Sequence, residues 1–272
     1  TMGCAMIESI DAMAAFARSL VTGCGHKLRS MRQSEALQAR PKNGHSDIVT
    51  DHDLWVQQYL TRSIRRAYPT HSVLGEEGGG FQGSSDFTWV IDPIDGTTNY
   101  LHYGRGYAIS VALLRGGAPA YGLVLDVAAD RLHEGGVSPA AASGDQSPEE
   151  GILHMGYKTM QRFTQMGADP YALAARFQGV RYMGCASLEL CAIAQERCGF
   201  YVSTHLKLWD FAAAAAILSS QGCRLAAAEL TSGQYFVCAF RSPALYRQCE
   251  PYFPAQTRHA LNLTGGPFHA TD

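Results

Sequence analysis

Asp92 and Asp95, followed directly by Gly96-Thr97-Thr98-Asn99, are the residues of this chain best placed to do chemistry. The apolar run Trp89-Val90-Ile91 reads as a buried strand that delivers Asp92 at its end. Pro93 and Gly96 are expected to turn the chain there, so that both carboxylates point into one small space. Carboxylates so close repel each other unless a cation lies between them. The Gly-Thr-Thr behind them offers backbone N–H groups and hydroxyls to an anion. A cation site beside an anion cradle points to phosphate chemistry. Asp-Pro and Asp-Gly are also ordinary turn dipeptides, but the whole run directly after a buried strand is far less common.

Further acids carry the same choice between chemistry and structure. Glu76 and Glu77 open a glycine loop, 78–80, and alone would read as a solvated acidic pair. Asp210 falls in the first turn of an expected helix, where an acid favours the helix dipole without any ligand. Asp53 closes a Thr50-x-x-Asp53 capping-box pattern; alternatively it accepts a proton, directly or through a threonine hydroxyl, from an attacking water. These two roles are compatible. The oxygen-rich set suits Mg2+, which favours carboxylates, waters and phosphate oxygens, and the Ile94 carbonyl could add an oxygen. Zinc fits less well, because none of the ten histidines has ligand spacing to a second His or Cys.

The elements that must position these residues follow from periodicity and punctuation. A helix is expected over 4–22, ended by Gly23 and Gly25, and a loop over 41–44. A second helix starts near Asp51 and stops at Tyr68-Pro69, since the residue before proline disfavours helix. Residues 72–75 read as a short strand. Two β-rich runs, 107–114 and 120–127, flank Gly116-Gly117 and predict a hairpin. Residues 138–151 are linker-like, which divides the chain into an N-terminal α+β half, 1–145, and a C-terminal α/β half, 146–272. In the second half, strands at 152–156, 180–183, 199–203 and 235–240 alternate with helices near 186–197 and 210–221.

At 272 residues and 46% apolar, the chain can bury a sizeable core. Its net charge of −2 argues against a nucleic-acid-binding surface. The eight cysteines form no CxxC pair, and several sit in apolar runs as free thiols do, so a cytoplasmic, reducing location is expected. No stretch reaches membrane-spanning length.

Taken together, Gly75-Glu76-Glu77, Asp92-Pro-Ile-Asp-Gly-Thr-Thr-Asn99, and Trp209-Asp210 before a small-residue helix resemble the inositol monophosphatase family. That family is a branch of the lithium-sensitive, magnesium-dependent sugar phosphatase superfamily, and the resemblance runs from the 47–53 segment to about Gly222. It implies an α/β (α+β layered) fold, a five-layer αβαβα sandwich of two closely packed halves. The activity implied is Mg2+-dependent hydrolysis of a small phosphorylated polyol or sugar by metal-activated water, with two or three Mg2+ ions.

By position, the resemblance implies that Glu76, Asp92 and the Ile94 carbonyl hold one ion. Asp92, Asp95 and Asp210 would hold a second, and Glu76 would help with a third. Glu76 and Thr97 would orient the water, with Asp53 as partner to Thr97. The N–H groups of Gly96 and Thr97 would bind phosphate. Gly184-Cys185-Ala186 would contact the sugar or cyclitol, beside Asp95, Ser203 and Asp210. A homodimer is implied in the same way. The pattern also has departures. Inositol-phosphate enzymes usually carry a glutamate seven residues before the last aspartate, and here that position is Ser203. Cys185 stands where Thr or Ser is more usual. A nucleotide 3′-phosphatase, a histidinol-phosphatase and a non-catalytic scaffold are the alternative readings.

Overall fold

Two five-stranded sheets enclose a pair of helices, and further helices cover the outer face of each sheet. The computed structural model describes residues 9–34, 37–42, 48–137, 146–195, 199–231 and 233–258. In chain order the N-terminal half contains α1 (Ile10–Ser34), β1 (Ala39–Pro41), β2 (Ile48–Thr50), α2 (Asp51–Ala67), β3 (Ser72–Gly75), β4 (Phe87–Asp95), α3 (Thr97–His102), β5 (Ala108–Arg115), β6 (Ala118–Asp126) and β7 (Arg131–Gly136). The C-terminal half contains β8 (Ile152–His154), α4 (Tyr157–Gln165), α5 (Pro170–Ala174), β9 (Gly179–Arg181), α6 (Ala186–Gln195), β10 (Gly199–Leu206), α7 (Leu208–Ser220), β11 (Arg224–Thr231), β12 (Gln234–Phe240), α8 (Pro243–Cys249) and α9 (Ala255–Arg258).

The sheets run β3-β4-β5-β6-β7 and β11-β12-β10-β8-β9. Alternation along β4 sends its side chains to two different cores. Trp89 and Ile91 pack outward with Met13, Val21, Leu60 and Ile64 of α1 and α2. Val90 faces inward, into a core shared by α6, α7 and the second sheet. Phe163 and Leu245 cover the far side of the second sheet, against Phe200, Phe236 and Phe240. The layers are therefore αβαβα, as the resemblance implies.

The alanine run of α7 belongs to this middle layer. Ala212, Ala213, Ala214, Ala215 and Ala216 are all buried. At Gly122 of β6 an added Cβ would lie 2.0 Å from the Ala213 carbonyl oxygen, so helix and sheet meet backbone to backbone.

Several boundaries differ from the sequence reading. Gly23 and Gly25 lie inside α1 and do not end it. Gly23 is exposed, whereas at Gly25 a Cβ would sit 2.4 Å from Leu125 Cδ2, so that glycine serves packing against β6. Strand β4 does not turn at Pro93 but runs on to Asp95. Its register against β5 shifts between Asp92↔Ser110 and Asp95↔Ala108, and a bulge of that kind tolerates a proline lacking a ladder donor. The turn comes at Gly96, with φ of 85°. Strands β7 and β11 and helix α4 were not legible. Arg224-Leu-Ala-Ala-Ala-Glu-Leu-Thr231 has little β-propensity, and its pairing with β12 makes it a strand. Residues 4–8 of the first expected helix, 43–44 of the 41–44 loop, Asp47 and 138–145 of the expected linker lie outside the described residues.

Candidate active site

The site forms where the ends of β3 and β4 meet the first turns of α2, α3, α6 and α7. Glu76 follows β3, and its N–H donates to the Ile91 carbonyl at 3.1 Å, which holds it beside the end of β4. Asp92 is 2% exposed, and its Oδ1 has no hydrogen-bond partner. The bulge after Asp92 brings Asp95 toward the C-terminal half. Asp95 Oδ2 accepts the Ser187 N–H at 2.6 Å and the Cys185 thiol at 3.3 Å, and Oδ1 accepts the Ala186 N–H at 3.2 Å. Asp210 sits in the first turn of α7, and its Oδ2 accepts the Lys207 N–H at 2.8 Å.

Asp53 fills both roles left open by its sequence. It completes the capping box of α2, with the Thr50 N–H donating to its Oδ2 at 2.8 Å and the Thr50 hydroxyl bonded to the same oxygen. Its Oδ1 is left for the Thr97 hydroxyl at 3.3 Å, which also lies 3.0 Å from the Ile94 carbonyl. Gly96 cannot be replaced without strain. Besides its positive φ, a Cβ there would meet the Gly106 oxygen at 3.0 Å, Cys185 Cβ at 3.1 Å and the Gly184 oxygen at 3.2 Å. Asn99 Nδ2 bridges the halves, donating to the Gly106 carbonyl at 2.8 Å and the Met183 carbonyl at 2.7 Å.

The charges are poorly offset. Burial, then Glu76, Asp95 and Asp210, hold the Asp92 carboxyl well above the usual carboxylate range. Burial, then Asp95 and Glu76, do the same to Asp210. Asp95 is raised by burial against the N–H and thiol donors of α6 that pull it down. Burial pushes Asp53 up to about 7, opposed by its Thr50 hydrogen bonds and reinforced by Glu77 and Glu76.

An all-oxygen donor set and an orphaned buried carboxylate oxygen fit a hard divalent cation. Among the described residues, no three acidic, imidazole or thiol groups are already arranged to hold one. Asp92 shares a hydrogen bond with Glu76 while its Oδ1 stays orphaned, and the other acids have partners of their own here. Lys42, beside β1, donates to Glu76 at 2.8 Å and pairs with Glu77 as well. Burial pulls the Lys42 ammonium down, and the two glutamates more than reverse it, leaving it raised. Lys42 was not foreseen: its partners are distant in sequence, and it belongs to no local pattern.

The expected substrate-contact residues do gather. Gly184, Cys185, Ala186 and Ser203 line one cavity of about 170 Å³ with Asp95 and Asp210. Glu76 and Asp210 also border a larger neighbouring cavity of about 1110 Å³. Lys42, Lys158, Arg162 and Lys207 line it too; Lys158 and Arg162 carried no signal while α4 was unrecognised.

Residues 9–256 match the sequence profile of the Inositol monophosphatase family. The chain belongs to that family. It is 32% identical over 199 residues to the Inositol-1-monophosphatase of Bacillus subtilis (strain 168), covering 69% of this chain and 75% of that protein. It is also 32% identical over 210 residues to the Nus factor SuhB of Pseudomonas aeruginosa, covering 71% and 77%. Among solved structures, inositol monophosphatase-II from Staphylococcus aureus MSSA476 superposes with a TM-score of 0.74 at 23% identity, over 92% of this chain and 96% of that one. The inositol monophosphatase fold therefore accounts for both sheets and the helical layer between them. In the described residues no helix is long and apolar enough to cross a membrane.

Proposed function

We propose that this member of the inositol monophosphatase family is a Mg2+-dependent phosphomonoesterase acting on a small phosphorylated polyol or sugar. The observation that carries the reading is the orphaned, buried Asp92 Oδ1, crowded by Glu76, Asp95 and Asp210. Glu76, Asp92, the Ile94 carbonyl, Asp95 and Asp210 would hold two or three ions. When bound, Mg2+ acts as a Lewis acid that makes a water more nucleophilic and offsets phosphoryl charge.

The chain's own groups do the rest. Gly96 and Thr97 present backbone N–H groups to the phosphoryl oxygens. The Thr97 hydroxyl, held by Asp53 and the Ile94 carbonyl, orients the attacking water. Asp53 receives a proton through that hydroxyl, to which it is hydrogen-bonded. Cys185, Ala186 and Ser203 shape the pocket for the alcohol, and the neutral Ser203 disfavours the hydroxyl chelation a carboxylate would give. A nucleotide 3′-phosphate or histidinol phosphate would leave this machinery unchanged.

Relatives named Nus factor point to a competing, non-catalytic role. Retention of every candidate ligand and of the Thr97–Asp53 pair favours catalysis, since a scaffold has no use for buried, mutually repelling acids. Phosphate release from a broad phosphomonoester panel, with and without Mg2+, tests the reading. Mg2+-dependent release is expected, reduced about a hundredfold or more in Thr97→Val. No release from any ester would overturn it.

A further inference from the structure

Ser203 leaves the alcohol pocket without the carboxylate that the family resemblance places there, and its hydroxyl lies 3.4 Å from His205 Nδ1. The cavity of about 170 Å³ that Ser203 shares with Asp95 and Asp210 is lined by two further polar residues, Thr159 of α4 and Glu189 of α6. Thr159 is 1% exposed, and its hydroxyl has no hydrogen-bond partner. It does not serve as the cap of α4, which starts after Gly156 with no side-chain cap. A hydroxyl buried in this way is unfavourable, and a partner that arrives with a ligand accounts for it. Glu189 is 2% exposed. Its Oε1 accepts the Met183 N–H at 2.9 Å, and His154 Nδ1 lies 3.7 Å from that same oxygen. Both contacts fall on one oxygen, so the carboxylate is fixed in orientation while its second oxygen is left to accept. An acid in the first turn of α6 also suits the helix dipole, but that role does not require a place on the wall of a cavity.

We propose that Glu189 and Thr159 are specificity-determining residues that bind hydroxyls of the substrate's alcohol, with the carboxylate supplied from α6 in place of the one absent at Ser203. The proposal rests on the phosphatase reading above and deepens it, by naming the groups that read the alcohol. A carboxylate oxygen accepts from a hydroxyl in a charge-assisted bond, and the Thr159 hydroxyl can donate to a second or accept from it. An alcohol without hydroxyls would bury both groups unpaired, and a site built in this way discriminates strongly against it.

The test compares KM within two pairs of esters, myo-inositol 1-phosphate against cyclohexyl phosphate and glycerol 2-phosphate against isopropyl phosphate. Each pair shares a carbon frame and differs in its hydroxyls. The acidity of the leaving alcohol differs as well, so KM and not kcat carries the comparison. The hydroxyl-bearing ester is expected to have a KM lower by about tenfold or more. Glu189→Gln keeps an acceptor for the Met183 N–H, and Thr159→Val keeps the shape of the side chain. Each should shrink the KM ratio several-fold, and Thr159→Ser should restore it. A purely structural role would weaken both esters of a pair alike and leave the ratio in place. Equal KM within both pairs, or a ratio that stays put in Glu189→Gln or in Thr159→Val, would overturn the proposal. Absence of turnover with every ester would instead overturn the phosphatase reading beneath it.

Discussion

Asp95 Oδ2 accepts the backbone N–H of Ser187 at 2.6 Å. That bond ties the end of β4 to the first turn of α6, so the strand carrying the candidate ligands is registered against the half that supplies Asp210. With the Ala186 N–H and the Cys185 thiol on the same carboxylate, Asp95 acts as a helix cap supplied from another part of the chain. The thiol of Cys185 performs there the donor role that a hydroxyl would perform.

Asp95→Asn separates cap from ligand. Asparagine keeps one acceptor oxygen, for the Ser187 N–H, but turns its NH2 toward the Ala186 N–H, so the loss of stability should be about 1–3 kcal/mol with the fold retained. Turnover should fall about a hundredfold or more, because a charge is lost from the proposed ion cluster. Thermal melts and Mg2+-dependent phosphate release on the same preparation check both halves. A near-normal rate would remove Asp95 from the ligand set.

Metal and proton should compete at the acids. Asp92, Asp95 and Asp210 are raised above the ordinary carboxylate value of 3.8 in the folded, metal-free protein. Between that value and their raised ones the folded state binds more protons than the unfolded state. The contribution of these acids to stability is therefore greatest at low pH and is lost as pH rises through that window. Mg2+ must displace the protons, so its stabilisation should be larger near about pH 7.5 than near about pH 5.5. Melting temperatures with and without Mg2+ at both values measure this; an equal shift would contradict it.

Lys42 competes for the same place. Its ammonium pairs with Glu76 and Glu77, and a cation there opposes entry of another. Lys42→Gln should lower the Mg2+ concentration needed for half-maximal activity by several-fold, an effect read from an Mg2+ titration of phosphate release. An unchanged or increased requirement would show that Lys42 does not hold the glutamates from metal.

Two glycines should respond oppositely to alanine. Gly23 in α1 has open space around its Cβ position, so Gly23→Ala should stabilise by roughly 1 kcal/mol through helix propensity. Gly122→Ala would press a methyl against the Ala213 carbonyl, 2.0 Å away, and should cost about 1–3 kcal/mol by forcing α7 off the sheet. Chemical denaturation of both variants decides the pair.

Much of the site was legible because its parts are local. The Thr50/Asp53 box, the stop of α2 before Pro69 and the hairpin at Gly116-Gly117 each depend on a few neighbouring residues, and each appears as read. The run from Asp92 to Asn99 named its chemistry for the same reason. The limits of α1 were misread because propensity was the only guide, and packing against Leu125 outweighs it at Gly25. Strand β11 was invisible because its alanines become a strand only beside β12.

By itself the sequence determined which acids exist, their spacing along the strand end and the family to which the chain belongs. Tertiary structure decided what each acid touches: Asp95 the first turn of α6, Glu76 the ammonium of Lys42, Asp53 the hydroxyl of Thr97. It also placed Arg162 and Lys158 around one cavity with Glu76 and Asp210. Partners this distant meet only after the sheets have paired and α7 has packed between them, and no short window of sequence encodes that register.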